Sequence, residues 1–395
     1  MATTTPDVVP VRPPLLLDED VGLLRRFWRG RIWYGAEWYI TLFGALILVF
    51  MTTMTILAPS IAPYDPNEFI GAQFTPPGGG KQALLARAGE RPIGPGADLA
   101  GQIIGVQRNE NGVNLARELG ATGERFLDQK LLLAALAEHQ VDLIFVSQEK
   151  VAEVRALQPG LEVIASDLGR SFLLGTDNLG RDILSRLIWG ARTVLGVALL
   201  SALLSSSVGI SLGLISGFVS GPVDRVLSLT MDSVYSFPGL LLAVAMAAML
   251  GPGLINVAVA ISVIYIPTFF RVVRGQVLSI KEELFVEAAR SIGARPSTIL
   301  ARYIFPNVIP SVVVVFSLNV ADAILTEAGL SFVGLGLPPD IPDWGYDLSK
   351  GQSFLVAGHW WMVTFPGILI TTVAMGFSLL GEGLSEILNP RLVKS

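Results

Sequence analysis

The chain of 395 residues has no cysteine and only two histidines. Without cysteine it forms no disulfide, performs no thiol chemistry and has no cysteine metal site. His139 and His359 are far apart in the sequence, so we expect no metal site at either. The chain also lacks the Gly-x-x-x-x-Gly-Lys-Ser/Thr loop that holds nucleotide phosphates, which predicts that it does not hydrolyse ATP itself. We therefore expect a non-enzymatic chain that binds no cofactor.

Charge is scarce as well. Only 15% of the residues are charged and 51% are hydrophobic, and the mean hydropathy is +0.58. Soluble domains rarely combine these values, so the composition indicates a protein that lies in the lipid bilayer. The net charge of -5 offers no basic face for nucleic acid, and we expect no nucleic-acid partner.

Long apolar runs predict six transmembrane helices, because a hydrocarbon core needs roughly 20 helical residues. The first helix covers residues 37–62, and a core of five further helices covers 172–388. The later runs are 193–223, two within 233–270 that are separated by Gly251-Pro252-Gly253, 303–321 with an apolar extension to 335, and 360–381. The expected fold class is an all-α polytopic membrane protein.

The orientation follows from lysine and arginine in short loops, which stay in the cytoplasm. Basic residues lie before the first span, in the loop 272–302 and at the end of the chain: Arg25, Arg26, Arg29, Arg31, Arg274, Lys281, Arg290, Arg295, Arg391 and Lys394. The segment 337–358 is acidic. Both tails, 1–36 and 389–395, are therefore expected inside, and the first span is expected to be a retained signal anchor.

Residues 63–171 differ from the rest because they have the pattern of a soluble domain. Apolar runs predict strands at 103–106, 141–146 and 161–165, and helical spacing predicts helices at 112–119, 129–138 and 149–157. This alternation predicts a small parallel α/β unit, joined through a flexible linker at 76–80. We expect the insert outside the cytoplasm, since long domains are translocated regardless of their own charge.

The loop 272–302 contains a motif that is suited to docking another protein. Glu287-Ala288-Ala289 is followed by Gly293 and then by Pro306. The alanines permit close approach, the glycine permits the left-handed turn that ends a helix, and the proline suits the start of the next span. A glutamate on a solvated helix is the simpler interpretation when such a triplet stands alone.

Two carboxylates lie within the fifth predicted span, Asp322 and Glu327. A charge at the centre of the bilayer costs roughly 2.5 to 3.5 kcal/mol on insertion scales. Both residues are therefore functional candidates, as residues that line a pathway through the membrane or form its gate. The alternative is that they lie near the outer end of the span and are satisfied by caps or water. Asp232 is expected at the inner boundary, in a structural role.

Four blocks carry a resemblance to a known family. They are Leu174 to Arg186 with Gly190 to Thr193, Glu287 to Asn307, Leu325 to Gly336 with Trp344-Gly345, and Gly381 to Arg391. In this order they resemble the permease subunits of bacterial dipeptide, oligopeptide and nickel ABC importers, and the last two blocks are similar to the second subunit of the pair. The resemblance covers residues 20–66 and 172–393.

The resemblance implies a set of partners. These are a homologous permease subunit, two cytosolic ATP-binding subunits and an extracytoplasmic solute-binding protein. It also implies that ATP is used by the partner subunits and that their closure pushes the helix around Glu287 and Gly293. The cargo stays open among dipeptides, longer peptides, nickel chelates and glycosides.

The insert is much longer than the corresponding loop of that family. Its segments 98–107 and 141–144 resemble one lobe of a periplasmic solute-binding protein for amino-acid-like ligands. Only one lobe is present, and Arg108-Asn109-Glu110-Asn111 stands where such lobes often have glycine and hydroxyl residues. We expect the insert to contact the solute-binding protein or to cap the pathway mouth, without binding cargo tightly.

Two other classes of protein are compatible with parts of the sequence. A membrane-anchored receptor could use the external α/β unit to sense a ligand, but it needs a cytoplasmic signalling domain, and the cytoplasmic segments are short. A secondary transporter more often has buried charges in repeated halves and does not need the docking loop. Copurification of an ATPase separates both from an ABC permease.

Overall fold

A computed structural model describes residues 36–89, 99–107 and 112–388. The expectations for both tails and for residues 108–111 lie outside the described residues. The chain divides into two compact units. The membrane unit takes in Ala191–Tyr346, together with the helical segments up to Ile56 and from Ile368. The insert unit takes in Leu57–Gly190 and Asp347–Gly367.

Twelve helices of seven or more residues occur in the described part of the chain. In chain order they are α1 Ala36–Ile61, α2 Gly112–Glu118, α3 Gln129–Ala137, α4 Val151–Leu157, α5 Ile183–Val219, α6 Gly221–Tyr235, α7 Gly239–Leu250, α8 Leu254–Ile280, α9 Leu284–Ser291, α10 Phe305–Phe332, α11 Trp344–Gln352 and α12 Trp361–Leu388. A short helical turn, Pro296–Thr298, and a π-helical stretch, Ile299–Ile304, lead into α10.

Five stretches are long and apolar enough to cross a membrane in the described part of the chain. They lie on α1, α5, α8, Pro296–Phe332 and α12. The short helices α6 and α7 are bent by 88° at their junction and become a sixth candidate if they form one span. The predicted all-α architecture with up to six spans is confirmed by length and composition.

The third predicted span differs in detail from the structure. We expected one helix from residue 233 to the turn at Gly251, but the chain breaks at 236–238, between α6 and α7. Pro238 has no backbone N–H to continue a helix, and it disfavours helical geometry at Phe237. The predicted turn after this helix is confirmed, since Gly251 and Gly253 have φ of 80° and 145°.

Three glycines of α5 let it pack closely against α8. Gly209, Gly213 and Gly217 recur every fourth residue, so they lie on one face of the helix. A Cβ at Gly213 would lie 2.9 Å from the carbonyl oxygen of Phe270 and 2.9 Å from the Cβ of Val273. Small residues at this spacing bring helix backbones together in membranes. We call these three residues the glycine face of α5.

The insert contains a five-stranded sheet. The strands are β1 Gln82–Arg87, β2 Ile103–Gln107, β3 Thr122–Phe126, β4 Leu143–Ser147 and β5 Leu161–Leu168, in the order β3-β2-β4-β1-β5. Strand β2 runs parallel to β3 and β4, as predicted, but β1 is antiparallel to both of its neighbours. The expectation of a wholly parallel unit is therefore wrong, and the sheet is mixed.

Two of the five strands were not predicted. Strand β1 reads Gln-Ala-Leu-Leu-Ala-Arg, and alanine and leucine favour helix over strand. Its position between β4 and β5 buries five of its six residues and overrides that preference. Strand β3 reads Thr-Gly-Glu-Arg-Phe at the sheet edge and lacks the apolar alternation on which the prediction depended.

Successive side chains of each strand point to opposite faces of the sheet, and each face has its own core. Leu85 and Ile144 pack on one face with Leu132 and Leu136 of α3 and Val154 of α4. On the other face, a second cluster packs against α2: Leu84, Ile104, Val106, Phe145 and Ala116. The insert is thus a three-layer α/β/α domain, and the prediction of an α/β unit is confirmed.

The segment at 76–80 is held in place by its backbone. The N–H of Gly78 donates to the carbonyl of Phe172 at 2.8 Å, and the N–H of Phe172 donates to the carbonyl of Gly79 at 2.9 Å. The expected flexible linker is therefore a hydrogen-bonded turn in this structure. Its backbone pairs with Phe172, in the segment that follows β5.

Candidate functional site

The helix α9 ends as the glycine in its motif predicts. Gly293 has φ of +79°, and its N–H donates to the carbonyl of Arg290 at 2.9 Å. The N–H of Ala294 donates to the carbonyl of Ala289 at 3.0 Å. These two bonds are the Schellman pair, which satisfies the last carbonyls of a helix when the residue after the cap is left-handed. The predicted helix-ending turn is confirmed.

One face of α9 packs into the membrane unit. Val286 and Ala289 are buried. They belong to a cluster with residues of α8, of the π-helical stretch and of α10: Val273, Val277, Ile299, Ile304 and Val308. The sequence placed Ala288 and Ala289 together on a docking surface. The structure instead places Ala289, at 3% exposure, in the core that supports the helix.

The opposite face of α9 is exposed and apolar. Leu284 is 80% exposed and Ile292, directly after the helix, is 81% exposed. With Ala288 between them they recur every fourth residue and form one stripe, and Glu287 is exposed beside it. We call Leu284, Ala288 and Ile292 the α9 stripe. Sequence reasoning missed Leu284 and Ile292, because α9 has apolar residues on both faces.

Pro306 lies in the first turn of α10, as predicted. The helical path starts earlier, however, at Pro296, and passes through the π-helical stretch Ile299–Ile304. Pro306 has no N–H to donate to the carbonyl four residues before it, so the regular α-helical ladder is interrupted there. A wider π-helical turn is one way in which a helix accommodates such an interruption.

Several basic residues of α8 and of the predicted docking loop form polar contacts within the membrane unit. Arg274 forms a two-pronged ion pair with Asp224, and its Nη2 lies 2.8 Å from Oδ2. Arg271 Nη2 lies 2.8 Å from Asp232 Oδ1, and this contact gives Asp232 a structural role. Lys281 Nζ donates to Ser220 Oγ at 2.7 Å. These contacts stabilise the packing of α8 against α6 and against Ser220, the residue before α6.

Arg290 and Arg295 are different. Both are exposed, and neither forms an ion pair among the residues that the structure describes. They flank the glycine that ends α9. The positive charge that is available to an acidic partner therefore lies beside the α9 stripe.

The two carboxylates of α10 lie in different surroundings. Glu327 is fully buried, and its Oε1 accepts a hydrogen bond from Ser331 Oγ at 2.9 Å. The buried carboxyl of Asp343 lies next to it. Asp322 is exposed, and its carbonyl accepts from Thr326 Oγ1 at 2.8 Å. The structure therefore separates two residues that the sequence grouped together.

The block Leu174 to Arg186 forms a buried polar cluster in the insert unit. Asp182 caps α5, since its Oδ2 accepts from the N–H of Ser185 at 2.7 Å and from Ser185 Oγ at 2.6 Å. Burial raises the pKa of Asp182, and the Ser185 bonds oppose this effect. Arg186 Nη2 lies 2.7 Å from Asp347 Oδ1. Because these groups satisfy one another, the cluster fixes the start of α5 and offers no reactive group.

The histidines are not brought together as a site. The ring of His359 stacks on Phe74 with centroids 4.2 Å apart and meets Trp361 edge-on. No group of three or more potential metal ligands occurs within the described ranges. His359 therefore contributes packing to an aromatic cluster.

Comparisons with known proteins agree with the family resemblance of the motifs. The family described as the binding-protein-dependent transport system inner membrane component matches residues 209–394. The glutathione transport system permease protein GsiD of Pectobacterium atrosepticum is 42% identical over 220 residues, which cover 55% of this chain and 72% of that protein. GsiD of Shigella flexneri is 43% identical over 219 residues, with the same coverage of 55% and 72%.

Among solved structures, an inward-facing MetNI methionine ABC transporter is similar to this chain. The sequence identity is 19% and the TM-score is 0.44. The match covers 52% of this chain and 96% of that one.

Proposed function

Because this chain belongs to the family of inner membrane components of binding-protein-dependent transport systems, we propose that it is the permease subunit of an ATP-driven peptide importer. A homologous subunit pairs with it so that the pathway runs between the two. Two cytosolic ATP-binding subunits and an extracytoplasmic solute-binding protein complete the transporter. The family favours neither the receptor nor the secondary transporter as an alternative.

The α9 stripe carries the proposal for coupling. An exposed apolar stripe on a short, firmly supported helix suits insertion into a groove on another protein. Glu287, Ala288 and Gly293 belong to this docking element directly, and Ala289 supports it from the core. Pro306 belongs to the same coupling loop and lies at the start of α10. The ATP-binding subunits use the ATP, and this chain holds no nucleotide or other cofactor. Movement of α9 on ATP binding then passes to α8 and α10 through the shared core.

The double substitution Leu284→Ser and Ile292→Ser tests this docking. We expect the tagged chain to lose most of its ability to capture the ATP-binding subunits from detergent extracts, because each buried apolar side chain contributes roughly 1.5 to 3 kcal/mol. The readout is the amount of ATPase that copurifies. Leu157→Ser is the matched control, since Leu157 is an apolar side chain of the insert with 64% exposure. Equal capture by all variants would rule out the stripe as the docking surface.

The cargo is proposed to be short peptides, including glutathione. The support is that the two relatives are named as glutathione transport permeases. Uptake of labelled glutathione by cells that express the complete transporter, and its competition by unlabelled dipeptides, measures this directly. Uptake of neither compound would remove peptides as the cargo.

We propose that both termini lie in the cytoplasm and that residues 63–171 lie outside it. The absence of cysteine allows a direct test, since single cysteines have no background. In intact cells, a membrane-impermeant maleimide should label Leu157→Cys in the insert and should leave Glu287→Cys and Lys394→Cys unlabelled until the membrane is opened. Labelling of Glu287→Cys together with protection of Leu157→Cys would reverse the topology.

For the insert we propose contact with the solute-binding protein or coverage of the pathway mouth. Its support is a folded three-layer domain whose two ends leave through neighbouring strands. Replacing residues 81–170 by a short Gly/Ser linker should leave capture of the ATP-binding subunits intact and lower uptake or the affinity for the solute-binding protein. Unchanged uptake and unchanged affinity would leave the insert without a role in transport.

Within α10 we propose that Asp322 faces the pathway and that Glu327 holds the geometry of the gate. Asp322 is exposed in this chain, whereas Glu327 is buried between Ser331 and Asp343. A water-soluble maleimide should label Asp322→Cys in the assembled transporter, and bound cargo should slow this reaction. Equal labelling with and without cargo would place Asp322 away from the pathway.

A further inference from the structure

A cavity of about 420 Å³ lies in the insert unit. Helix α2, the start of β1, the segment after β5 and the chain at 68–72 form its walls. None of the residues named above for docking or for the gate contributes to it. Its volume falls within the roughly 300 to 1,000 Å³ of typical small-molecule sites.

Charges of both signs line this cavity without neutralising each other. Glu68 and Glu118 supply two carboxylates, and Arg117 and Arg170 supply two guanidinium groups. None of the four forms an ion pair in the part of the chain that the structure describes. Arg170 lies instead over the ring of Tyr64, with its Cζ 5.6 Å from the centroid. Both signs of charge therefore remain available to a ligand.

The lining of the cavity also contains one amide side chain and two aromatic side chains. Gln82 is 3% exposed, and its Oε1 has no hydrogen-bond partner in the described ranges. A buried amide oxygen without a donor costs free energy unless something donates to it. Phe69 and Phe172 add aromatic surface to the lining. The cavity thus combines aromatic surface with opposite charges.

We propose that this cavity binds a small zwitterion, an amino acid or a short peptide with free amino and carboxyl ends. Its carboxylate pairs with Arg117 and Arg170. Its ammonium group pairs with Glu68 and Glu118. This proposal departs from the expectation, based on the sequence alone, that the insert does not bind cargo tightly. It does not depend on the proposed transport function, because it concerns binding to this chain without ATP or partner subunits.

Calorimetric titration of the full chain in lipid nanodiscs tests the proposal with three probes. Dialanine has both charges, N-acetyl-dialanine has only the carboxylate, and dialanine amide has only the ammonium group. We expect dialanine to bind most tightly. Each blocked probe should bind about tenfold more weakly, as expected for the loss of one charge-assisted contact.

Two double variants test which side chains bind the carboxylate of the ligand and which bind its ammonium group. Arg117→Gln with Arg170→Gln should weaken dialanine and N-acetyl-dialanine by about tenfold and leave dialanine amide unchanged. Glu68→Gln with Glu118→Gln should weaken dialanine and dialanine amide by a similar factor and leave N-acetyl-dialanine unchanged. Arg155→Gln with Glu153→Gln, on the exposed surface of α4, is the matched control and should bind like the unmodified chain.

Circular dichroism and gel filtration check that each variant is folded. Absence of dialanine binding to the unmodified chain would overturn the proposal. Equal binding by all folded variants would also overturn it, because the zwitterion would then occupy another site, such as the pathway. Loss of ATPase capture or of uptake, measured separately, bears on the transport function and not on this cavity.

Discussion

Gly293→Val should lower ATP-driven uptake by about tenfold while the chain still inserts into the membrane. The φ of +79° at this position is readily adopted by glycine and is strongly disfavoured for a β-branched residue. A left-handed conformation costs other residues roughly 1 to 2 kcal/mol, which corresponds to about a tenfold change in an equilibrium. The Schellman bonds that end α9 would be lost, and the α9 stripe would no longer be held against its partner. Uptake rates and membrane yield are the two measurements.

Gly293→Asn is the control for backbone conformation. A Cβ at Gly293 meets no atom within 4 Å, so neither substitution creates a clash inside this chain. Asparagine tolerates the left-handed region better than other residues with a side chain. We expect Gly293→Asn to keep most of the uptake. Equal loss in both variants would mean that the side chain, and not the turn, disturbs docking.

Gly213→Leu should prevent the membrane unit from folding stably. The leucine side chain would have to occupy space that the backbone carbonyl of Phe270 and the side chain of Val273 already fill. Overpacking of this kind costs about 3 kcal/mol or more when helices must separate. We expect little monodisperse protein after extraction in mild detergent, as measured by gel filtration, and a lower melting temperature in what remains.

Gly196→Leu, in the same helix, is the matched control. A Cβ at Gly196 meets no atom of this chain within 4 Å. Leucine also has a higher helix propensity than glycine, by roughly 1 kcal/mol or slightly less. The yield and melting temperature should therefore stay unchanged or rise. If Gly196→Leu and Gly213→Leu lowered the yield equally, general intolerance of leucine in α5 would explain both results, and the glycine face would not be needed.

The docking helix shows how far sequence reasoning reaches. Its position, its terminating glycine and its proline followed from local rules, since a left-handed turn and a missing N–H depend on single residues. The choice of exposed face did not follow, because Leu284, Val286, Ala289 and Ile292 are all apolar. Only the tertiary core shows that Val286 and Ala289 point inward.

The membrane helices show a second limit. Hydropathy predicted the spans, since it depends only on the composition of a window. It did not reveal the break before α7 or the glycine face of α5. A glycine in a lipid-embedded helix leaves the mean hydropathy almost unchanged, and its role depends on the helix that happens to lie opposite.

The carboxylates show a third limit. Asp322 and Glu327 are five positions apart in the sequence, and both were interpreted as candidates for the pathway or its gate. The sequence of an apolar run does not show whether a charged side chain points into the protein or away from it. The contact of Glu327 with Ser331 joins residues on one helix, whereas its neighbour Asp343 comes from a later loop. Such long-range proximity is invisible to periodicity.

The position of β1 in the sheet bears on how the insert is made. This first strand lies between β4 and β5, and Gln82 stands opposite both Ser147 and Leu168. The pairing of β1 with β5 can therefore form only after the last strand of the insert has been synthesised. The proposed export of the insert would leave this edge of β1 unpaired until residues 161–168 have crossed the membrane. Pairing of the first strand with the last strand then brings the two ends of the domain together.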